Sequence, residues 1–219
     1  MAMLDGPRWR PPAGGAAKQL VVLCHGVGAD GNDLIDLAPA WSRALPGAAF
    51  AAPTAPEHYD QDPHGPGRQW FSVADRTPSV MATGVRRAAA MLDAFIDEEL
   101  TRLSLPATAY ALMGFSQGAM TALFTGLRRP VAPRAILAYS GALLAPDALA
   151  AELANRAPVL LVHGEADDVV PVLRSRDAEH ALRAARVPVE VHYTPGLGHG
   201  IDEAGINVGG LFLQRAFAA

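Results

Sequence analysis

Leu112-Met113-Gly114-Phe115-Ser116-Gln117-Gly118-Ala119-Met120 decides how this chain is read. Residues 110–115 are apolar enough for a central strand, and residues 119–127 are good helix formers. Between them, Gly114-Phe115-Ser116-Gln117-Gly118 matches G-x-S-x-G, the strand-turn-helix elbow that puts a serine at a strained apex. The flanking glycines leave room where a Cβ would meet neighbouring backbone. The helix start behind the turn aims free N–H groups at the reacting centre. A chain with 21 glycines can meet this pattern by chance, so its context carries the weight.

Outward from the elbow, strand and helix patterns alternate. Strands are expected at residues 19–24, 48–52, 110–115, 134–139, 159–163 and 189–193, with a short edge strand at 8–12 and a turn at Gly14-Gly15. Helices are expected at 33–45, 79–103, 119–127, 146–155, 172–185 and 201–217. In the long one, Val80, Val85, Ala88, Met91, Leu92, Phe95, Ile96 and Leu103 are read as the apolar face. Residues 54–78 show no periodic pattern, and a loop that long in a compact domain usually has a function. The alternation predicts an α/β fold, a mostly parallel sheet with helices on both faces, in one domain over residues 1–219. Functional loops then lie at the carboxyl ends of the strands.

Composition narrows the function classes. Half the residues are hydrophobic and 18% are charged, as in an ordinary globular protein. A net charge of −4 offers no basic face for nucleic acid. The single cysteine, Cys24, sits in an apolar run and cannot form an internal disulfide. With no signal-peptide core in residues 1–12, a reducing, cytoplasmic location is expected. No run is long enough for a membrane span, so stable membrane insertion is not expected, and a homodimer stays open.

A serine needs a base to take its proton and an acid to orient the base. On an α/β sheet with an elbow these follow in the order serine, acid, histidine. Here Asp167 and Asp168 follow the strand at 159–163, and His199 follows the strand at 189–193 within Gly198-His199-Gly200. Ser116, one of the two aspartates and His199 are therefore the candidate catalytic residues. Adjacent side chains point in different directions, so only one aspartate is expected to face His199, and Glu165 is read as structural. The oxyanion needs two N–H donors: Gln117, just after the nucleophile, and Val27, in the loop His25-Gly26-Val27-Gly28. That loop lacks G-x-G-x-x-G spacing and a Walker lysine, so nucleotide binding is not supported, and no H-E-x-x-H points to a metal. His25 and His163 are expected to fix their own loops by hydrogen bonds.

The chain resembles the phospholipase/carboxylesterase group of α/β-hydrolases, which includes acyl-protein thioesterases, over nearly its whole length. The likeness rests on residues 23–31 as an oxyanion loop, 114–119 as the elbow, Ser140-Gly141 as a post-strand turn, 163–171 as the acid loop and 198–200 as the histidine turn. The resemblance implies an α/β-hydrolase without a large cap domain, no cofactor, and Asp167 as the acid. One departure is Trp70-Phe71-Ser72, where the family commonly has Trp-Phe-Asp.

Trp70, Phe71, Leu143 and Leu144 are candidate walls of a substrate pocket, with Trp70 as a plug onto the core the alternative. No ring of arginines suggests a phosphate head group. The expected activity is hydrolysis of short-to-medium acyl esters by a serine carboxylesterase acting on a small-molecule substrate. The alternatives are an acyl-protein thioesterase or lysophospholipase and, in another class, a non-catalytic hydrolase-fold binding protein.

Overall fold

The elbow strand is the middle one of seven in a computed structural model that describes residues 4–10 and 14–218. The strands are β1 (Arg8–Trp9), β2 (Gln19–Cys24), β3 (Ala48–Ala51), β4 (Glu57–His58), β5 (Arg68–Gln69), β6 (Tyr110–Phe115), β7 (Ile136–Tyr139), β8 (Val159–Gly164) and β9 (Val189–Thr194). The helices are α1 (Asn32–Ile35), α2 (Leu37–Ser42), α3 (Pro78–Arg102), α4 (Gln117–Arg128), α5 (Leu149–Glu152), α6 (Leu173–Ala184) and α7 (Glu203–Ala218). The large sheet runs β1-β3-β2-β6-β7-β8-β9 and is parallel except where β1 meets β3. Its carboxyl ends therefore share one edge. No helix is long and apolar enough to cross a membrane among the described residues.

Strands covered on both faces must be apolar throughout, and alternate residues then feed two cores. On β2, Leu20, Val22 and Cys24 pack with Val85, Ala88 and Leu92 of α3. Val21 and Leu23 face the other way, toward Trp41 of α2 and Phe212 and Leu213 of α7. Helices thus cover both faces, as the uninterrupted apolar runs require.

Several boundaries differ from expectation. The helix expected at 33–45 breaks at Asp36. Pro39 has no N–H to give the Ile35 carbonyl four residues back, so the helix restarts as α2. Residues 54–78 contain a small antiparallel ribbon, β4 with β5. The segment 146–155 forms only a 3₁₀ turn (Pro146–Ala148) and the short α5. The expected edge strand is two residues long, and Pro11 and Pro12 lie outside the described residues. Val80 is 42% exposed rather than on the apolar face of α3, where Met81 takes that position. A step of about 100° per residue puts position 80 well away from the stripe through 85, 88 and 92.

The elbow glycines are set by close approach. A Cβ on Gly118 would overlap the Cys24 carbonyl oxygen, and one on Gly114 would overlap the Gly118 carbonyl. Both sites are backbone against backbone, so nothing flexible can give way. Gly118→Ala is expected to destabilise the fold by ~3 kcal/mol or more, read as a lowered urea midpoint.

Candidate active site

Ser116 sits between β6 and α4 with φ 53° and ψ −117°, a left-handed φ that a side chain rarely adopts. Its N–H donates to the Tyr139 carbonyl at 2.8 Å, which anchors the turn to the neighbouring strand. Strain of this kind costs about 1–3 kcal/mol and persists where the surroundings over-determine it. Here the Gly114–Gly118 contact and the start of α4 do so.

The loop carrying Asp167 follows β8, and the histidine loop follows β9. The two are joined by Glu165 N–H to the Thr194 carbonyl and Ala166 N–H to the Leu197 carbonyl, both 2.9 Å. This places Asp167 against His199, with Nδ1 to Oδ2 at 2.7 Å. Oδ1 of Asp167 accepts the N–H groups of Val169 (3.0 Å) and Val170 (2.8 Å). Asp167 is buried and Asp168 is exposed. Burial pushes the Asp167 carboxyl up, but the hydrogen bonds from His199 and the two N–H groups outweigh it and hold it below the usual carboxylate range. With Nδ1–H engaged by the carboxylate, Nε2 of His199 is left as the acceptor. No hydrogen bond joins Ser116 Oγ to His199 among the described residues. The ring instead packs on Phe115, the residue before Ser116, with ring centres 4.8 Å apart.

The loop at 25–28 and the elbow are held together through the long loop. The His25 ring donates from Nδ1 to the Gly26 carbonyl at 2.7 Å and accepts the Ala55 N–H on Nε2 at 2.9 Å. Burial lowers its pKa, which suits this neutral ring. The Trp70 indole N–H donates to the His25 carbonyl at 2.9 Å. The Gln117 side chain accepts the Trp70 backbone N–H at 2.9 Å and donates to the Phe71 carbonyl at 2.6 Å. Gly28, at φ 83°, donates to the Arg68 carbonyl at 2.7 Å. Gln117 opens α4, so its backbone N–H has no intrahelical acceptor. The Val27 N–H has no protein acceptor among the described residues. Sequence reading missed the Gln117 side chain, because its partners lie about 46 positions away in a stretch with no periodic signal.

Ser116, Val27 and Gln117 open onto a cavity of about 730 Å³, within the size range of small-molecule sites. Val73, Met81, Met120, Leu143, Leu144 and Val170 give it apolar walls. Trp70 and Phe71 do not belong to that wall, which corrects the expectation for both. They are 0% and 1% exposed and pack in the core against α3, while the loop reaches the cavity through Val73 and Arg76. A second correction concerns charge. Arg76, Arg86 and Arg174 line the cavity, together with Asp147 and Asp177. Arg86 is engaged by Glu152. No group of three or more His, Cys, Asp or Glu side chains is placed to hold a metal ion among the described residues.

The chain is similar to known proteins along most of its length. A model of the phospholipase/carboxylesterase family matches residues 12–215. An esterase of Escherichia coli, YpfH, is 30% identical over 192 residues, covering 85% of this chain and 78% of that protein. Acyl-protein thioesterase 1 of Schizosaccharomyces pombe is 31% identical over 171 residues, covering 74% of this chain and 75% of that protein. The crystal structure of esterase PE8 superposes with a TM-score of 0.91 at 40% identity, covering 98% of this chain and all of that one.

Proposed function

The chain belongs to the phospholipase/carboxylesterase family, and from that premise we propose that it is a serine carboxylesterase hydrolysing short-to-medium acyl esters through an acyl-enzyme. His199 Nε2 takes the Ser116 proton as Oγ attacks the ester carbonyl carbon. The Val27 and Gln117 N–H groups hold the oxyanion that forms. Collapse breaks the bond to the alkoxy group, and His199 gives its proton to the departing alcohol. Water, deprotonated by His199, then attacks the acyl carbon, Ser116 Oγ leaves with that proton, and the acid is released. Asp167 orients the ring and stabilises its imidazolium form throughout. The hydrogen bond from Ser116 to His199 that these steps need is not made among the described residues, and it is of the kind that forms when substrate closes the site.

The observation that carries this reading is the 2.7 Å bond between His199 and buried Asp167, on the sheet edge where positive-φ Ser116 opens onto an apolar cavity. In the relatives' names, esterase supports ester hydrolysis and acyl-protein thioesterase marks the main alternative. A longer or anionic acyl substrate gains support from the cavity's size and from Arg76 and Arg174 on its lining.

A panel of p-nitrophenyl esters from acetate to palmitate tests the proposal, with a fluorophosphonate label read by mass spectrometry. The expected result is labelling at Ser116 and a maximum in kcat/KM between butyrate and octanoate. A rate that keeps rising to palmitate supports the longer-chain reading. Absence of label and turnover across the panel overturns both and leaves a binding protein.

A further inference from the structure

His163, at the end of β8, has no role in the steps above, yet its side chain is wholly buried beside them. Its Nε2 lies 2.7 Å from the Val170 carbonyl oxygen and 3.2 Å from Asp167 Oδ2. Its Nδ1 lies 2.7 Å from Ser175 Oγ on α6. A carbonyl can only accept, so Nε2 carries a proton. In the neutral ring Nδ1 then accepts the Ser175 hydroxyl, and one tautomer is fixed from both sides.

Val170 is gripped twice. Its N–H goes to Asp167 Oδ1, and its carbonyl takes the His163 N–H. On the outer side of this turn Glu165 and Asp168 are exposed, so the inner side has to supply rigidity. We propose that His163, held by Ser175, is a positioning residue for the acid, fixing the 167–170 turn so that Asp167 Oδ2 faces His199 Nδ1. This rests on the assignment of Asp167 and His199 as acid and base. The same turn brings Val169 and Val170 to the cavity wall, so one buried imidazole serves both the acid and the pocket. The other charged groups around it are exposed: Glu165 with its partner Arg176, Asp168, and Arg174 and Asp177 of α6.

The test uses the full chain carrying His163→Ala, His163→Gln or Ser175→Ala, with active sites counted by fluorophosphonate. Per active site, His163→Ala is expected to lower kcat on p-nitrophenyl butyrate about 30-fold, by analogy with removal of the hydrogen-bond partners that orient metal-bound ligands. KM should stay within about threefold. The acid limb of kcat/KM should move to lower pH, because imidazolium loses a fixed carboxylate partner. His163→Gln can still donate to Val170 and should recover most of the rate. Ser175→Ala should shift the limb the same way by less.

A lowered melting temperature with kcat and the acid limb unchanged per active site would overturn the proposal. If His163→Ala does not fold, an unmoved limb and rate in both other variants would overturn it equally. Wild-type turnover is read alongside: if it is absent, the carboxylesterase reading fails, and if it is present with indifferent variants, only the role of His163 fails.

Discussion

Ser116→Ala is expected to lower kcat on p-nitrophenyl butyrate by about 10⁴-fold or more, with KM little changed. The size follows from the lack of a substitute at the site. Cys24 is buried just before the loop at 25–28, and desolvation pushes its thiol well above the range where thiolate forms. The Thr121 hydroxyl is buried and donates to the Gln117 carbonyl at 3.0 Å. The Val27 and Gln117 N–H groups and the cavity would survive the change, so binding is expected to survive with them. Alanine keeps the Cβ, and Ser116 Oγ holds no hydrogen bond that the fold depends on among the described residues. The melting temperature should therefore hold or rise slightly. A variant that keeps its turnover within tenfold of the parent would remove Ser116 from the reaction.

The second large effect separates two neighbours. Asp167→Asn should cost about 10³- to 10⁴-fold in kcat, and Asp168→Asn less than about threefold. Both oxygens of Asp167 act as acceptors, Oδ1 for two backbone N–H groups and Oδ2 for the imidazole. An amide must put its NH₂ on one side or the other. On the Oδ1 side it opposes Val169 and Val170 N–H. On the Oδ2 side it opposes Nδ1–H and drives His199 to the tautomer with its proton on Nε2, where it cannot act as base. Exposed Asp168 makes no such demand.

The pH dependence follows from the same carboxylate. Its pKa is depressed in the folded state, so the stability it contributes is present above the ordinary aspartate value of about 3.9. That contribution is lost as pH falls through the lower, folded value. The fall of activity on mild acidification should therefore follow imidazole protonation, with Asp167 still ionised. Equal losses in the two asparagine variants would reassign the acid.

The sheet was legible because strands covered on both faces advertise themselves. Leu20 to Cys24 and Tyr110 to Phe115 are apolar without a break, and they lie in β2 (Gln19–Cys24) and β6 (Tyr110–Phe115). That Ser116, Asp167 and His199 reach one edge of the sheet was legible for a related reason, since parallel strands bring their carboxyl ends together. The choice between Asp167 and Asp168 was not available from direction alone. It depends on the Ala166 and Glu165 bonds to the histidine loop, which turn one carboxylate inward.

The pocket was the least legible part. Its walls come from α3, the segment 142–148 and the start of α6, which meet only after folding. Trp70 reads in sequence either as a pocket aromatic or as a plug onto the core, and its indole N–H, with a buried carbonyl to satisfy, draws it into the core. The Gln117 side chain escaped notice because no local pattern announces a partner that far along the chain.

Gln117 grips the main chain of Trp70 and Phe71, not their side chains. Any residue able to adopt that backbone satisfies the clasp equally well. The downstream stretch from Ser72 to Thr77 runs on toward the start of α3 with its side chains exposed or half-buried. It is anchored at its start, where the Ser72 hydroxyl donates to Asp60, and it borders the chamber through Val73 and Arg76. Swapping or randomising that short stretch offers a route to retune which acyl groups are accepted without redesigning the machinery beneath it.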